Sequence, residues 1–444
     1  MNTQKNKNVY EKFLSIFTEV RAGEGFSATL LFLNIFVLLT SYYMMKTVRE
    51  GLILSEGSAE IKSYSSAGQV LLLLFAIPLY AKIASKMDRR RLINTVTLFF
   101  TTCLGLFYIL GHLNVPISVI FFLWVGIFNY MIVAQFWAFA NDIYTPEGGK
   151  RIFIIVAFGQ SAGAVVGGFL TSQLVDPLGV LQLLLVAGVL LAGTLIFTNI
   201  VDTREKKFIK VSDEVDAKEL EAPIGKEGAF KLVFKSRYLL LLAFLLLFLN
   251  WVNTTGEYIL SRIVTDAAHG AVSSGQITEK AMDIFIVKFY GEFYTGVNLT
   301  GLLLQLFVVS RILKYLGIRI ALLILPFIAI GGYGYIALIP ILSTVRWIKT
   351  AENATDYSLQ NTVRQVLFLP TSREEKYKAK QVIDTFFVRA GDVLSALLVY
   401  VGITFLSFQT SEFASVNMGL AIIWLVLSFF IGKEYTRLVA DKNK

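Results

Sequence analysis

The stretch Leu338–Phe368, LIPILSTVRWIKTAENATDYSLQNTVRQVLF, has the length of a membrane span and carries charge that lipid would refuse. On a helix turning about 100° per residue, Arg346, Lys349, Glu352 and Asp356 fall within roughly 120° of one another. They share one face. The next apolar stretch, Val382–Phe405, VIDTFFVRAGDVLSALLVYVGITF, gathers Asp384, Arg389 and Asp392 on one broad face as well. An ionised side chain at membrane depth costs at least ~2.5–3.5 kcal/mol on insertion scales, so such groups turn to a partner helix or a wet cavity. Two charged spans side by side therefore predict an all-α membrane protein organised around a polar interior.

Composition points the same way. Of 444 residues 55% are hydrophobic and only 16% charged, and the mean hydropathy of +0.64 is far above that of a soluble domain. Cys103 is the single cysteine, which excludes an internal disulfide. His112 and His269 are far apart with no ligand-like spacing, so no metal and no cofactor is expected. Residues 1–25 lack the apolar core of a cleavable signal, though Tyr10–Val20 could form a surface amphipathic helix or a disordered tail.

Twelve apolar stretches of suitable length can be marked, from Phe26–Tyr43 (with a charged extension to about Leu54) to Ser415–Ile431. Leu338–Phe368 is the least apolar and would escape a simple hydropathy window. Placing the N-terminus inside puts 31 of the 41 Lys and Arg residues on the inner side and only Lys62, Arg262 and Lys280 in outer loops. This asymmetry gives both termini a cytoplasmic position, and it assigns the +9 net charge to membrane orientation rather than to nucleic acid.

The polar segment 201–237 divides six spans from six. The expected domains are a cytoplasmic segment 1–25, a six-helix bundle 26–200, the linker 201–237, a second bundle 238–431 and a tail 432–444. A 6 + 6 arrangement is the major facilitator architecture, with two pseudo-symmetric halves. A repeat supports it weakly: Ala81–Ile93 (AKIASKMDRRRLI) lies over Ser310–Leu322 (SRILKYLGIRIAL). Residues 260–284 read as a long outer loop between the seventh and eighth spans.

The charges inside the spans balance. Lys46, Arg49, Lys288, Arg346, Lys349, Arg364 and Arg389 face Glu50, Glu257, Glu292, Glu352, Asp356, Asp384 and Asp392. Several should therefore pair internally and gate rather than bind; Arg389 with Asp384 or Asp392, and Lys288 with Glu292 four residues on, are the expected pairs. On the first span Tyr42, Tyr43, Lys46, Arg49 and Glu50 share a face. They form either a cationic wall of a binding site or a cluster snorkelling to the membrane interface. Arg346 and Lys349 are the clearest anion hooks. In the fifth span Gly163 and Gly167 form a G-x-x-x-G that admits a close helix neighbour. No P-loop, nucleophile triad or H-E-x-x-H occurs, so the chain is not expected to be an enzyme.

Two segments carry a resemblance: Gln135–Gly168 (QFWAFANDIYTPEGGKRIFIIVAFGQSAGAVVGG) and Ala351–Asp392 (AENATDYSLQNTVRQVLFLPTSREEKYKAKQVIDTFFVRAGD). Together they resemble the nucleotide transporter family of plastids and intracellular bacteria, the ATP/ADP translocases. The shared features are the Phe-Trp-x-Phe-Ala-Asn turn after the fourth span, the basic start of the fifth, Tyr-Ser-Leu, Leu-Pro-Thr and the Lys-x-Lys-x-x-Ile-Asp run. The resemblance puts the family's first-span lysine on Arg49 and its seventh-span glutamate on Glu257. Its fourth-span glutamate has no counterpart near Val125, and its eleventh-span lysine falls on Asp392, a charge reversal.

The expectation is then a multi-pass secondary transporter of a bacterial inner membrane, working by alternating access as an exchanger or with a coupled proton. Its partners would be the lipid bilayer and a small anionic solute, a nucleotide or other phosphorylated metabolite. Tyr42, Tyr43, Lys46, Arg49, Glu257, Lys288, Tyr290, Arg346, Lys349 and Arg389 are the candidate substrate contacts. Glu50, Glu292, Glu352, Asp356, Asp384 and Asp392 are the candidates for coupling or gating. Two rival classes share these sequence features: a lipid or lysolipid flippase, and a non-transporting membrane sensor.

Overall fold

Apolar runs of this length can satisfy their backbone N–H and C=O groups inside a membrane only by coiling into helices. In the computed structural model, which describes residues 11, 20–21, 23–84, 86–144, 146–209, 228–372 and 375–442, they do so throughout, and no strand occurs among those residues. The long helices are α1 Gly25–Glu56, α2 Ala59–Ala84, α3 Arg89–His112, α4 Ser118–Ile143, α5 Pro146–Leu178, α6 Gln182–Ile209, α7 Arg237–Ser273, α8 Met282–Phe307, α9 Gly317–Leu338, α10 342–367, α11 Lys380–Thr404 and α12 Thr410–Lys442. Ten of these are individually long and apolar enough to cross a bilayer, and α8, bent by 43° into Val309–Tyr315, makes an eleventh. The exception is α10, because charges occupy one face of it.

The apolar side chains that stay outside say what surrounds the protein. On α2, Leu71, Leu74, Phe75 and Leu79 are each 60% exposed or more. Side chains of that size left open along one helix are covered by acyl chains in a membrane. By contrast α1 is the most enclosed span, two thirds of its apolar window being buried.

Local chemistry fixes the helix starts. Asp88 precedes α3 in extended conformation, and its Oδ1 accepts from the Arg91 N–H at 2.7 Å. Replacing Asp88 by alanine should cost about 1 kcal/mol of helix stability, read as a lower unfolding temperature of the purified protein. Ser236 caps α7 in the same way.

Among the described residues four five-residue π-helical turns interrupt the α-helices. Two of them, Asn129–Val133 in α4 and Asp356–Gln360 in α10, lie 227 residues apart at both ends, almost the spacing of the sequence repeat. The others, Glu375–Ala379 and Ile383–Phe387, lead into α11. Such turns widen a helix by one residue and are frequent at functional positions.

Two sequence expectations change. Only the latter part of residues 260–284 is a loop: α7 runs on through Ser273, because Ile263, Val264, Ala268 and Ala271 continue its buried stripe. Lys288 does not pair with Glu292 as its closest partner; its ammonium bonds Asp176 at the end of α5. The amphipathic stretch Tyr10–Val20, apart from Glu11 and Val20, and residues 210–227 of the linker lie outside the described residues.

The helices form two compact units. One holds the described residues up to Glu56, those from Leu71 to the linker, and Asp283–Asn298 of α8. Within it α1 packs on α5 and α6, and α3 on α6. The other holds Gly57–Val70 of α2, the residues after the linker through Met282, and Leu299 onward. There α12 packs on α9 and α7, and α11 on α7.

Candidate functional site

Within each unit most of the in-span charges sit in small, separate groups. In the first unit the C-terminal half of α1 meets the middle of α8. Tyr43 donates its hydroxyl to Asn298 Oδ1 at 3.0 Å, and its ring stands edge-on to Tyr294, 5.9 Å between centroids. The Lys46 ammonium lies 4.1 Å from the Tyr294 ring centroid and 5.2 Å from that of Tyr43. An ammonium set against two tyrosine faces is attracted by both ring quadrupoles. One turn on, Glu50 is fully buried; it takes the Arg49 guanidinium and stands 3.5 Å from the Tyr294 hydroxyl. Tyr290, also fully buried, backs Tyr294 at 5.7 Å.

Not all of the α1 face points the same way. Tyr42 stacks on Phe128 and Arg49 lies over Phe122 at 4.3 Å, both on α4. The face therefore splits between α8 and α4. A buried Glu50 between them is not what a cluster snorkelling to the interface would present. Lys288 is exposed beside Asp176, about one helical turn before Glu292 and away from the Tyr43–Lys46 cluster.

In the second unit the charged face of α10 turns onto α7 and α9. Lys349 is fully buried, and its ammonium bonds Glu352 Oε2 at 2.8 Å and lies 3.7 Å from Glu257 Oε1 of α7. The Tyr333 hydroxyl of α9 stands 2.9 and 2.8 Å from the two oxygens of Glu352. Asn353 donates to Glu257 Oε1 at 2.9 Å. Gly256 makes the room: a Cβ there would collide with the Tyr333 hydroxyl and stand 2.8 Å from Lys349 Nζ. Asp356 follows one turn after Glu352, at the first residue of the π-turn, and Arg346 lies partly buried one turn before Lys349.

A second pair in the same unit ties α7 to α11. Asp392 accepts from Asn250 and Thr254 of α7 at 2.7 and 2.8 Å while Arg389 bonds its other oxygen at 2.8 Å. Farther along α10, Arg364 takes Asp384 at 2.7 Å. Of the two partners the sequence offered Arg389, the helical spacing of three selects Asp392. At the other charged helix start, Arg89 binds the fully buried carboxylate of Asp202 at 2.7 Å. Near the start of α11, Lys380 bonds Gln365 at 2.7 Å.

Sequence reasoning missed Tyr333, Asn353, Gly256 and Asp176. Tyr333 lies in the run Gly-Gly-Tyr-Gly-Tyr of an otherwise apolar helix. A tyrosine flanked by small residues on a buried helix usually needs a partner for its hydroxyl, and that signal was available. Asn353 sits on the Glu352 face, but which end of its amide meets which carboxylate is a matter of packing. Among the described residues no group of His, Cys, Asp and Glu side chains has metal-site geometry.

Comparison with known proteins agrees with this architecture. The chain is 22% identical over 360 residues to ADP,ATP carrier protein 1 of Chlamydia pneumoniae, covering 71% of this chain and 66% of that one. It therefore spans just under two thirds of the length of the chlamydial carriers it matches. Identity is 21% over 509 residues with ADP,ATP carrier protein 5 of Rickettsia typhi, covering 97% and 96%. Among solved structures, the nucleoside transporter NupG superposes with a TM-score of 0.63 at 12% identity, over 93% of this chain and 99% of that one. A peptide transporter POT variant gives 0.63 at 13%, over 97% and 99%. The model of the Major Facilitator Superfamily matches residues 22–351. With its multi-pass helices and its remote kinship to ADP,ATP carriers, the chain is a membrane transporter belonging to the Major Facilitator Superfamily.

Proposed function

We propose that this transporter moves an organic anion, a nucleotide or another phosphorylated metabolite, across a bacterial inner membrane by alternating access, with both termini in the cytoplasm. The observation that carries the reading is the Lys46 ammonium set between the Tyr43 and Tyr294 rings, one turn from Arg49. Cations answer phosphate oxygens, and the aromatic faces answer a planar base. The remote kinship to proteins named ADP,ATP carriers supports the same substrate class. In this reading Tyr42, Tyr43, Lys46, Arg49 and Tyr290 of the first unit contact the anion, while the paired groups Arg389–Asp392 and Arg364–Asp384 hold helices together and act in gating.

Purified protein in liposomes, loaded with one anion and offered the same anion labelled outside, tests this directly with ATP, ADP and a panel of phosphorylated metabolites. Counterflow of at least one of them is expected. Lys46→Gln should then raise the half-saturating concentration about tenfold, the loss of roughly 1.4 kcal/mol of binding, while Lys46→Arg keeps most of the affinity. No counterflow of any anion, together with tight lipid binding, would instead favour a flippase.

A further inference from the structure

In the first unit α1, α3, α4 and α6 enclose a cavity towards the start of α3 and the end of α4. It leaves about 20 Å³ open to the centres of water molecules. A single bound water needs about 10–15 Å³ on that measure. Five of the lining residues are polar: Asn34, Thr97, Gln135, Thr194 and Thr198, each 7% exposed or less. No ionisable side chain lines it, so an ion placed here would meet no counter-charge.

The hydrogen bonds of these groups define what fits between them. Asn34 Nδ2 donates to Thr198 Oγ1 at 2.7 Å, and Thr198 gives its own proton to the Thr194 carbonyl at 3.1 Å. The Thr194 hydroxyl donates to the Leu191 carbonyl at 2.6 Å. Both threonine oxygens thus have their protons committed within α6 and keep only lone pairs to offer. Gln135 is the opposite case: its Nε2 is a buried donor with no hydrogen-bond partner among the described residues. A buried donor left unpaired costs free energy. The ligand that accepts from Gln135, donates to a threonine oxygen, carries no charge and fits this volume is a water molecule.

We propose that this cavity is an internal water site, held by Gln135 of α4 on one side and by the Asn34–Thr198–Thr194 chain of α1 and α6 on the other. Its place in the fold gives the water a role. Gln135 follows the π-turn Asn129–Val133 by two residues, and Ile132 of that turn lines the cavity as well. The extra residue of the turn widens α4 at this point; the bound water fills the room beside it and ties the turn to α1 and α6. A polar seam leads to the site from the charged start of α3: Asn199 bonds Asn94 at 3.2 Å and Arg90 bonds Asn199 at 2.7 Å. Water exchanges along this seam. The second unit repeats the association of π-turn and buried amide, because Gln360, the last residue of Asp356–Gln360, is 1% exposed with neither amide atom partnered among the described residues. The site belongs to the scaffold and holds its water whatever solute the protein moves.

Radiolytic labelling tests this. X-ray pulses convert bound water into hydroxyl radicals that oxidise the side chains beside it, and mass spectrometry locates the products. In the purified protein Phe136 and Phe139, which line the cavity, are expected to be oxidised although they are only 6% and 2% exposed. Phe100 and Phe121, 2% and 0% exposed and outside the lining, should stay unlabelled. Gln135→Met keeps the length of the side chain and removes its amide. Labelling of Phe136 and Phe139 should then be lost and the unfolding temperature should fall, because the water loses a partner. A dry cavity gives the opposite shift, since Gln135→Met would remove an orphaned donor and raise the unfolding temperature. Labelling of Phe136 and Phe139 no stronger than that of Phe100 and Phe121 overturns the proposal, and so does labelling that persists undiminished in Gln135→Met. Should that variant fail to fold, the comparison within the native chain decides.

Discussion

Lys349→Met is expected to destabilise the purified protein by about 3–5 kcal/mol, the penalty of stripping one partner from a buried ion pair. Methionine nearly conserves the volume, so little of the effect comes from a cavity. What remains is Glu352, 4% exposed, with only the Tyr333 hydroxyl directed at its two oxygens. Glu257 loses the Lys349 ammonium, 3.7 Å away, in the same stroke. The double replacement Lys349→Met with Glu352→Gln should restore most of the lost stability, because a neutral amide no longer needs a counter-ion. Thermal unfolding in detergent, followed by tryptophan fluorescence across the four proteins of the cycle, measures the coupling. If the double variant unfolds no later than Lys349→Met alone, the pair does not hold this region together.

A second large effect lies in the other unit. Along α5, Gly159, Gly163 and Gly167 recur every fourth residue on the face that touches α1. A Cβ on Gly163 would collide with the Phe36 carbonyl oxygen, and one on Gly167 would stand 2.6 Å from that of Thr40. The obstacle is helix backbone, which cannot rotate away as a side chain can. Gly163→Leu should therefore force α5 off α1, the most enclosed span, at a cost well above the roughly 1–3 kcal/mol usual for overpacking. Loss of the monodisperse peak in size-exclusion chromatography is the expected result. Gly193→Ala in α6 is the control: nothing lies within 4 Å of the added carbon, so the change should be neutral or stabilise slightly. Equal behaviour of the two variants would mean that the α1–α5 contact does not require glycine.

Much of this was legible in the chain. The helical character of the spans follows from the need to satisfy every backbone polar group within a bilayer, which any apolar run of sufficient length must meet by helix formation. That rule holds even for α10, whose charges hide it from a hydropathy window but share one helical face. The pairing of Arg389 with Asp392 was within reach as well, since both lie on one helix and spacing alone brings them together. The run-on of α7 past residue 260 was harder to see, because polar residues interrupt an apolar stripe that only packing makes visible.

What the sequence could not rank were contacts between helices far apart in the chain. It offered Lys349 as a hook for an anion, and the fold instead buried that ammonium between carboxylates of α10 and α7, under a tyrosine from α9. It offered one face on α1, and the fold divided it between α8 and α4. Residue type and helical period thus determined which side chains must leave the lipid and which face of each helix they occupy. Which of them meet was decided by how the helices rotate and how closely glycine lets them approach, and the electrostatic energy of a buried charge depends on those few ångströms.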